Sequence, residues 1–485
     1  MHAADLTVIV LYLIAITWFG ARFRKSQRTL KDYFLGGHTA PWWAISLSIV
    51  SAETSTLTVI GTPALSFSGN FGFLQVVFGY LLARMVISTL FLPAYFRGEM
   101  YTAYELMRRR FGERIRKLTA GTFLILRALA EGVRVFAISI VISIVLGTGE
   151  IASIAVIVCL TLFYTFEGGL TAVIWTDVVQ MFLYVGGAFL SFFVILHQIP
   201  GGWTHVSELA SAAHKFQVFD FRFSFTPEYF ARSYNFWAGV LGGCFLTTAS
   251  HGTEQLMVQR LLAARNEGES RAALFSSWFV ILMQFTLFLF IGVLLYVHYS
   301  DLGLAAPAVK DGLYPAFIWN NLPPGVAGLV IAAILAAGMS NLSAALNALA
   351  STTIMDFYKP FASARTPGLP EAHFLKLARL ATIAWGAVLF AIGLVARNWG
   401  SVLEAGLTIA SILYGSLLGV FLLGLLTRRV REPAAMIAMV AGLLTMICVK
   451  TLTHIAFTWY VVIGTTVTFA TGWIASFGTS RSQNA

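Results

Sequence analysis

The chain has 485 residues, of which 54 are charged, 32 as Lys or Arg and 22 as Asp or Glu. That share is 11%, whereas soluble globular proteins carry about 25%. Hydrophobic residues make up 58% and the mean hydropathy is +0.78. A water-exposed surface cannot hide so many apolar side chains, so the composition excludes a soluble protein. It predicts an all-α polytopic membrane protein.

Three other classes are excluded by the same composition. The apolar runs are continuous and helix-length, unlike the alternating segments of about ten residues in a membrane β-barrel. Charge is too scarce for a disordered chain. The net charge of +10 is of the kind that membrane proteins carry in their cytoplasmic loops, so it does not predict a nucleic-acid partner. The three cysteines lie in apolar runs and predict no disulfide framework.

Thirteen apolar stretches are candidates to cross about 30 Å of hydrocarbon as helices, of which the fifth, 151–166, is short and could extend either way. The first lacks a preceding basic segment, so we expect a retained helix and not a cleaved signal. In chain order the predicted spans are 4–21, 41–66, 72–96, 118–147, 151–166, 173–199, 235–259, 275–299, 326–356, 379–397, 400–426, 434–452 and 456–476.

Lys and Arg in the loops predict the orientation of these spans. Alternate loops, beginning with 22–40 and 97–117, hold 23 of these residues, and the opposite side holds six. This split puts the N-terminus outside and the C-terminus in the cytoplasm. We therefore expect a multi-pass protein of the plasma membrane, in a bacterium the inner membrane.

Ionisable side chains inside a span cost about 2.5–3.5 kcal/mol each on insertion scales and mark pathways by default, although a buried ion pair that only fixes helix packing is the alternative. Arg127, Glu131 and Arg134 are spaced so that they share one helix face. Glu131 can neutralise only one arginine, so the remaining charge needs either an anionic substrate or Glu53 across a cavity. Arg84, Asp177 and Glu254 are further ionisable residues inside spans.

Two spans are interrupted by polar residues. Span 41–66 contains Ser-Ala-Glu-Thr-Ser-Thr-Leu-Thr at 51–58, and span 235–259 contains a polar run at 247–254. Hydroxyls that bond to carbonyls, together with Gly and Pro, weaken a helix, so a break inside the membrane is expected in each. The interrupted helices open two five-helix units, 41–199 and 235–426, which predicts inverted repeats around a midplane binding site.

The ninth span carries Ser340, Asn341 and Ser343. Their hydroxyl and amide oxygens, with freed backbone carbonyls, suit an alkali cation better than a transition metal. A packing contact between small residues explains the same pattern equally well.

Six motifs are spread along nearly the whole chain. They are Asp-Tyr-Phe-Leu-Gly-Gly (32–37), Pro-Trp-Trp (41–43), Phe-Glu-Gly-Gly-Leu-Thr-Ala-Val-Ile-Trp-Thr-Asp (166–177), Gln-Arg-Leu-Leu-Ala-Ala (259–264), Met-Asp-Phe-Tyr (355–358) and Leu-Leu-Gly-Val-Phe-Leu-Leu-Gly (417–424). Together and in this order, the motifs resemble the sodium/solute symporter family. The resemblance implies a five-plus-five core of the LeuT type within one transporter domain, 1–485, flanked by an extra N-terminal helix (4–21) and two C-terminal helices (434–476).

The resemblance also implies sodium as the coupling ion and suggests its ligands. The first site would use backbone carbonyls of Ser51, Thr54 and Ala337, the hydroxyl of Ser340 and the side chain of Asn341, where the family usually has Ser or Thr. A possible second ion would lie among Asp177, Ser340 and Ser343. The solute cavity would be lined by Glu53, Ser55, Thr58, Thr247, Ser250 and His251, with Arg134 a candidate for the solute anion.

We therefore predict a sodium-coupled symporter for a small polar organic solute, a carboxylate or amino acid in preference to a sugar, working as a monomer in the lipid bilayer. A proton-coupled carrier of the same fold is the alternative, since Glu53 and Asp177 could carry protons. A channel lacks support because there is no Thr-Val-Gly-Tyr-Gly filter. An enzyme lacks support because there is no zinc or phosphate-loop motif.

Overall fold

The computed structural model describes residues 3–23, 29–98, 100–146, 149–304, 312–396 and 402–479. These residues form helices joined by turns and loops, and no strand occurs among them. The helices are α1 (Ala3–Ala21), α2 (Leu30–Leu35), α3 (Trp42–Glu53), α4 (Thr56–Ser68), α5 (Phe71–Tyr95), α6 (Tyr104–Arg110), α7 (Glu113–Leu146), α8 (Glu150–Gln198), α9 (Gly202–Ala212), α10 (Pro227–Phe230), α11 (Phe236–Gly252), α12 (Gln255–Leu262), α13 (Glu267–Asp301), α14 (Leu313–Asn321), α15 (Val326–Arg365), α16 (Glu371–Ala396), α17 (Val402–Leu426), α18 (Glu432–Leu452) and α19 (Phe457–Thr479).

The all-helical membrane class predicted from composition is confirmed. Among the described residues, nine helices are long and apolar enough to cross a bilayer, and the bent pair of α3 and α4 makes a tenth. Helix also covers the other predicted stretches, including the short one, where an apolar helix spans Ile151–Phe163. The count of thirteen spans and the pairing into two repeats remain predictions.

The expected break in the second span lies between α3 and α4, which meet at an angle of 65°. Thr54 and Ser55 have extended backbones there. The polar run acts on both sides of the break. The Thr54 hydroxyl donates to Val50 O (2.8 Å), a bond that weakens the end of α3, and the Thr58 hydroxyl accepts from the Ser55 N–H (3.3 Å), which caps the start of α4. Gln284 of α13 donates to the Thr54 hydroxyl at 2.7 Å and ties the break to a neighbouring helix.

The second expected break separates α11 from α12. Thr253 and Glu254 leave the helical conformation, and the chain then resumes as a helix at Gln255. The Thr253 N–H still donates to Ala249 O, and Glu254 O accepts from the Val258 N–H, so the interruption puts the Glu254 carboxylate at the junction of two helices.

One helix, α8, contains two predicted spans. Gly169 within it has φ 54° and ψ −154°, a conformation that a residue with a side chain rarely adopts. The glycine therefore kinks α8 between stretches 151–166 and 173–199.

The centre of the molecule is α15, whose residues from Val330 to Thr352 are all buried. Small side chains let its neighbours approach closely. A Cβ built on Gly338 would lie 2.8 Å from the Thr56 hydroxyl, at the start of α4. The break of the second span consequently packs directly against α15.

Another close approach joins α5 and α11 and gives a stability prediction. A Cβ at Gly243 would lie 2.3 Å from the backbone oxygen of Val76, which cannot move aside as a flexible side chain could. We expect Gly243→Ala to lower the melting temperature of the purified protein, because overpacking of this kind costs about 1–3 kcal/mol. Gly186→Ala is the control, since nothing lies within 4 Å of its Cβ position. Equal melting temperatures for the two variants would contradict this packing.

Candidate ion and solute site

A buried carboxylate, Asp177 of α8, lies at the centre of the predicted site. Arg260 of α12 donates to its Oδ2 through Nη2 at 2.8 Å, and the Ser48 hydroxyl of α3 donates to the same oxygen at 2.5 Å. Arg260 also donates from Nε to the Ser48 hydroxyl at 2.8 Å. The carboxylate therefore has a dedicated cation, which stabilises its charge away from water.

Ser340 of α15 connects Asp177 to the break of the second span. Its hydroxyl donates to Asp177 Oδ1 at 2.6 Å and lies 2.7 Å from the hydroxyl oxygen of Ser51, near the end of α3. All three side chains are buried. Three helices thus bring side-chain oxygen atoms of Ser51, Ser340 and Asp177 together. The contact of Ser51 is through its hydroxyl, whereas the sequence prediction used its backbone carbonyl.

The other predicted sodium ligands on α15 differ in their surroundings. Ala337 is buried one turn before Ser340. The Ser343 hydroxyl donates to Ser340 O at 2.9 Å along its own helix, so its hydrogen is directed at the backbone and not at Asp177.

Asn341 contacts the break from the α15 side. Its Nδ2 donates to Ala52 O at 2.8 Å and lies 3.4 Å from Thr54 O. Its Oδ1 accepts from Arg127 Nη2 at 2.9 Å and from Arg134 Nη1 at 3.4 Å. A single carboxamide therefore joins the carbonyls at the end of α3 to two guanidinium groups of α7.

The partner of the arginine pair on α7 is not Glu53, as one of the two sequence interpretations had it. Glu131 Oε2 accepts from both arginines, Arg127 at 2.9 Å and Arg134 at 3.1 Å. Arg127 forms its second ion pair with Glu254, at 3.1 Å. Two carboxylates balance two guanidiniums, so the charge of this cluster does not by itself require an anionic solute. The break between α11 and α12 is what brings Glu254 to Arg127.

Tyr414 of α17 completes this cluster, since its hydroxyl donates to Glu254 Oε2 in a short hydrogen bond. Arg127, Glu131 and Glu254 are buried, whereas the Arg134 side chain is 25% exposed. Arg134 is therefore the most exposed of these charged side chains.

Glu53 belongs to a separate ion-paired group. Its Oε2 lies 3.3 Å from Arg84 Nη2 and 3.2 Å from His251 Nε2, and its side chain is 14% exposed. The Ser250 hydroxyl lies 2.9 Å from His251 Nδ1. The two broken helices therefore meet through Glu53 and His251, two of the predicted solute-binding residues.

The remaining predicted cavity residues lie on the same two broken helices. Ser55 and Thr58 are bonded to each other at the start of α4, where Ser55 is buried and Thr58 partly exposed. Thr247 is buried one turn before His251, and its carbonyl accepts from the Ser250 hydroxyl at 3.3 Å.

Three residues of the site were missed as partners at the level of sequence, namely Arg260, Glu254 and Tyr414. The sequence did contain an indication for Arg260. An aspartate buried at position 177 needs a cation, and Arg260 directly follows the second interrupted span. Tyr414 gave no such signal.

A cavity of about 550 Å³ lies between α2, the end of α5 and the end of α12. Lys31, Tyr95 and Arg265 are among the residues that line it, and no predicted sodium-binding or solute-binding residue does. It borders the loops 22–40 and 97–117, which are rich in Lys and Arg.

Residues 33–442 match the model of the sodium:solute symporter family. The chain is 28% identical to the sodium/sialic acid symporter SiaT of Proteus mirabilis over 461 residues, covering 93% of this chain and 90% of that one. It is 29% identical to the human sodium/iodide cotransporter, over 91% of this chain and 68% of the relative. It is 28% identical to the mouse sodium-coupled monocarboxylate transporter 2, over 88% and 68%.

Among solved structures, the chain is similar to a Na⁺-coupled sialic acid symporter in a substrate-bound, outward-open state. The TM-score is 0.89 and the identity 26%, and 98% of each chain is covered. Together with the match over most of its length, this likeness shows that the chain belongs to the sodium:solute symporter family, membrane transporters whose coupling ion is sodium.

Proposed function

We propose that this chain is a sodium-driven symporter that imports a small organic carboxylate by alternating access. The observation that carries the proposal is the position of Ser340. Its hydroxyl is within 2.7 Å of oxygen atoms from both the broken α3 and the carboxylate of Asp177. Sodium held there would link two helices that a transporter must move relative to each other.

For the sodium site we propose the carbonyls of Ser51, Thr54 and Ala337 with the Ser340 hydroxyl and the Asn341 side chain. A second ion beside Asp177 is part of the proposal only if the measured coupling requires it, because Arg260 already neutralises this carboxylate. Sodium bound at the break would favour the state that takes up solute from outside.

The carboxylate class of the solute is supported by Arg134. Its guanidinium is the partly exposed member of the α7 cluster, and arginine suits bidentate recognition of carboxylates. The named relatives transport sialic acid, iodide and monocarboxylates, all of them anions. An amino acid carries the same carboxylate, whereas a neutral sugar offers no anionic group to Arg134.

Sodium coupling is favoured over proton coupling by the ion pairs at the site. Both carboxylates considered as proton carriers have a buried arginine as partner, Arg84 for Glu53 and Arg260 for Asp177. Protonating either carboxylate would leave a buried guanidinium without its counter-ion, which is costly.

We further propose that the protein works as a monomer in a bacterial inner membrane, with the N-terminus outside and the C-terminus in the cytoplasm. The excess of Lys and Arg in alternate loops supports this orientation.

The test is uptake of labelled N-acetylneuraminate and lactate into proteoliposomes. We expect uptake of one of them to require an inward sodium gradient, and an imposed pH gradient without sodium to give none. Equal uptake under the pH gradient would replace sodium coupling by proton coupling.

Ser340→Ala locates the ion in the same assay. It removes one oxygen ligand and little volume, so we expect the sodium concentration for half-maximal uptake to rise about tenfold, the effect of a lost interaction of about 1.4 kcal/mol. Ser416→Ala is the control, a buried serine of α17 that is no predicted ligand and whose hydroxyl donates to Leu413 O of its own helix at 3.1 Å. Equal sodium activation in wild type and Ser340→Ala would remove Ser340 from the site.

A further inference from the structure

We propose that the carboxamide of Asn341 couples sodium binding to carboxylate binding. Its oxygen would contact Arg134 in the absence of sodium and would turn to the sodium ion when sodium binds. The inference rests on the proposed function, since it assigns a residue that connects the two ligands. It is carried by the contacts at the two ends of one side chain.

The nitrogen end of Asn341 lies in the proposed ion site. Nδ2 donates to Ala52 O at 2.8 Å and lies 3.4 Å from Thr54 O. These are carbonyls at the break of the second span, where the chain leaves the helix and its own N–H groups no longer cover them. The amide group therefore contacts Thr54 O, one of the proposed sodium ligands, and Ala52 O beside it at the same break.

The oxygen end lies against the proposed solute site. Oδ1 accepts from Arg127 at 2.9 Å and from Arg134 at 3.4 Å. Asn341 is buried, so no water replaces a partner that either end loses. The orientation of the carboxamide is fixed by this surrounding, because only its oxygen can face two guanidiniums.

Sodium coordination and the present contacts exclude each other at this side chain. Sodium requires an oxygen, so Asn341 can become a ligand only if Oδ1 turns towards the break. That turn ends the contacts of Oδ1 with Arg127 and Arg134, of which Arg127 keeps its ion pairs with Glu131 and Glu254. A sodium ion that binds in this way frees Arg134 for a carboxylate, and a carboxylate that holds Arg134 removes one of the two guanidinium donors that keep Oδ1 away from the break. Because linkage is reciprocal, each ligand then raises the affinity for the other.

A serine at this position would be too short to contact both the break and the guanidiniums. Its hydroxyl could bind sodium, but it could not contact Arg134 in the absence of sodium. We therefore expect that, in the Asn341→Ser variant, sodium affinity no longer depends on whether Arg134 is present.

The experiment is a double-mutant cycle with sodium alone as the ligand. Sodium affinity is measured by intrinsic tryptophan fluorescence of the purified, full-length protein, with choline replacing sodium. Arg134→Gln removes one competitor for Oδ1, so we expect it to raise sodium affinity about tenfold in the chain that keeps Asn341, the effect of a charge-assisted hydrogen bond. In the Asn341→Ser background the same change is expected to have a much smaller effect.

Comparing the effect of Arg134→Gln in the wild-type and Asn341→Ser proteins distinguishes coupling through Asn341 from simple charge repulsion. Removing a nearby positive charge through space would change sodium affinity equally in both backgrounds, and such additivity would overturn the inference. Asn347→Ser is the matched control, a buried asparagine of α15 whose Oδ1 accepts from Gln259 at 2.6 Å, and it should leave the Arg134→Gln effect intact.

Two further outcomes are informative. If Asn341→Ser does not fold, an unchanged sodium affinity of Arg134→Gln in the otherwise wild-type chain is enough to overturn the inference. If the wild-type protein binds no sodium at all, the proposed function fails together with the inference, a result distinct from an additive cycle.

Discussion

Arg260→Met is expected to lower the stability of the folded transporter by about 3–5 kcal/mol, the cost of breaking a buried ion pair on one side. The substitution leaves Asp177 charged and buried, with hydroxyl donors but no cation. The same change also removes the hydrogen bond from Arg260 to the Ser48 hydroxyl. The measurement is the melting temperature and the monodisperse fraction of a fluorescent fusion in detergent.

An exposed pair supplies the control for this prediction. Arg222 pairs with Asp220 at 2.8 Å in the loop before α10, but its side chain is 78% exposed. Surface pairs contribute only about 0–1 kcal/mol, so Arg222→Met should have little effect.

Rescue distinguishes the ion pair from a loss of packing. Adding Asp177→Asn to Arg260→Met removes the stranded charge and should restore most of the folded fraction. A single variant Arg260→Met as stable as wild type would show that the carboxylate has another counter-ion. The rescued protein also reports on ion number, because a sodium Hill coefficient reduced towards one relative to wild type would assign an ion to Asp177.

Arg134→Gln is expected to abolish the preference of the transporter for a carboxylic acid over its amide. Hydrogen bonds to charged groups contribute about 1.5–3 kcal/mol, so the affinity for the acid should fall about 10-fold to 100-fold. The amide analogue should be bound nearly as before. Competition against labelled solute by paired acid and amide analogues measures both.

A structural role for Arg134 would give a different result. Glu131 accepts from Arg127 as well as Arg134, so the variant keeps one guanidinium on that carboxylate, and we expect it to fold. An equal loss of affinity for both analogues would argue against a carboxylate contact. Restoration of folding by Glu131→Gln would likewise show that Arg134 serves Glu131 and not the solute.

Local features of the sequence were sufficient to predict the class of protein and the positions of its broken helices. Helix-length apolar runs with 11% charge leave only a helical membrane protein. The polar run at 51–58 predicted the break because hydroxyls, Gly and Pro act on the backbone of their own helix. Arg127, Glu131 and Arg134 were placed on one face by the helical period alone.

The motifs of the sequence predicted the family and suggested the ion ligands. The match over residues 33–442 confirms the family. The hydroxyl groups of Ser51 and Ser340, on two of the segments that the resemblance named, lie 2.7 Å apart. The roles of these residues as sodium ligands remain predictions.

The partners of the buried charges were decided only by the tertiary structure. Sequence left Arg127 with an anionic solute or Glu53, whereas Glu254, 127 positions away, is its partner. Glu53 instead pairs with Arg84, and Asp177 with Arg260. The helical period determines which residues share a face, but it does not determine which helix packs against that face or how far each is rotated. Close packing of small residues such as Gly243 and Gly338 sets those positions, and it involves segments remote in the chain.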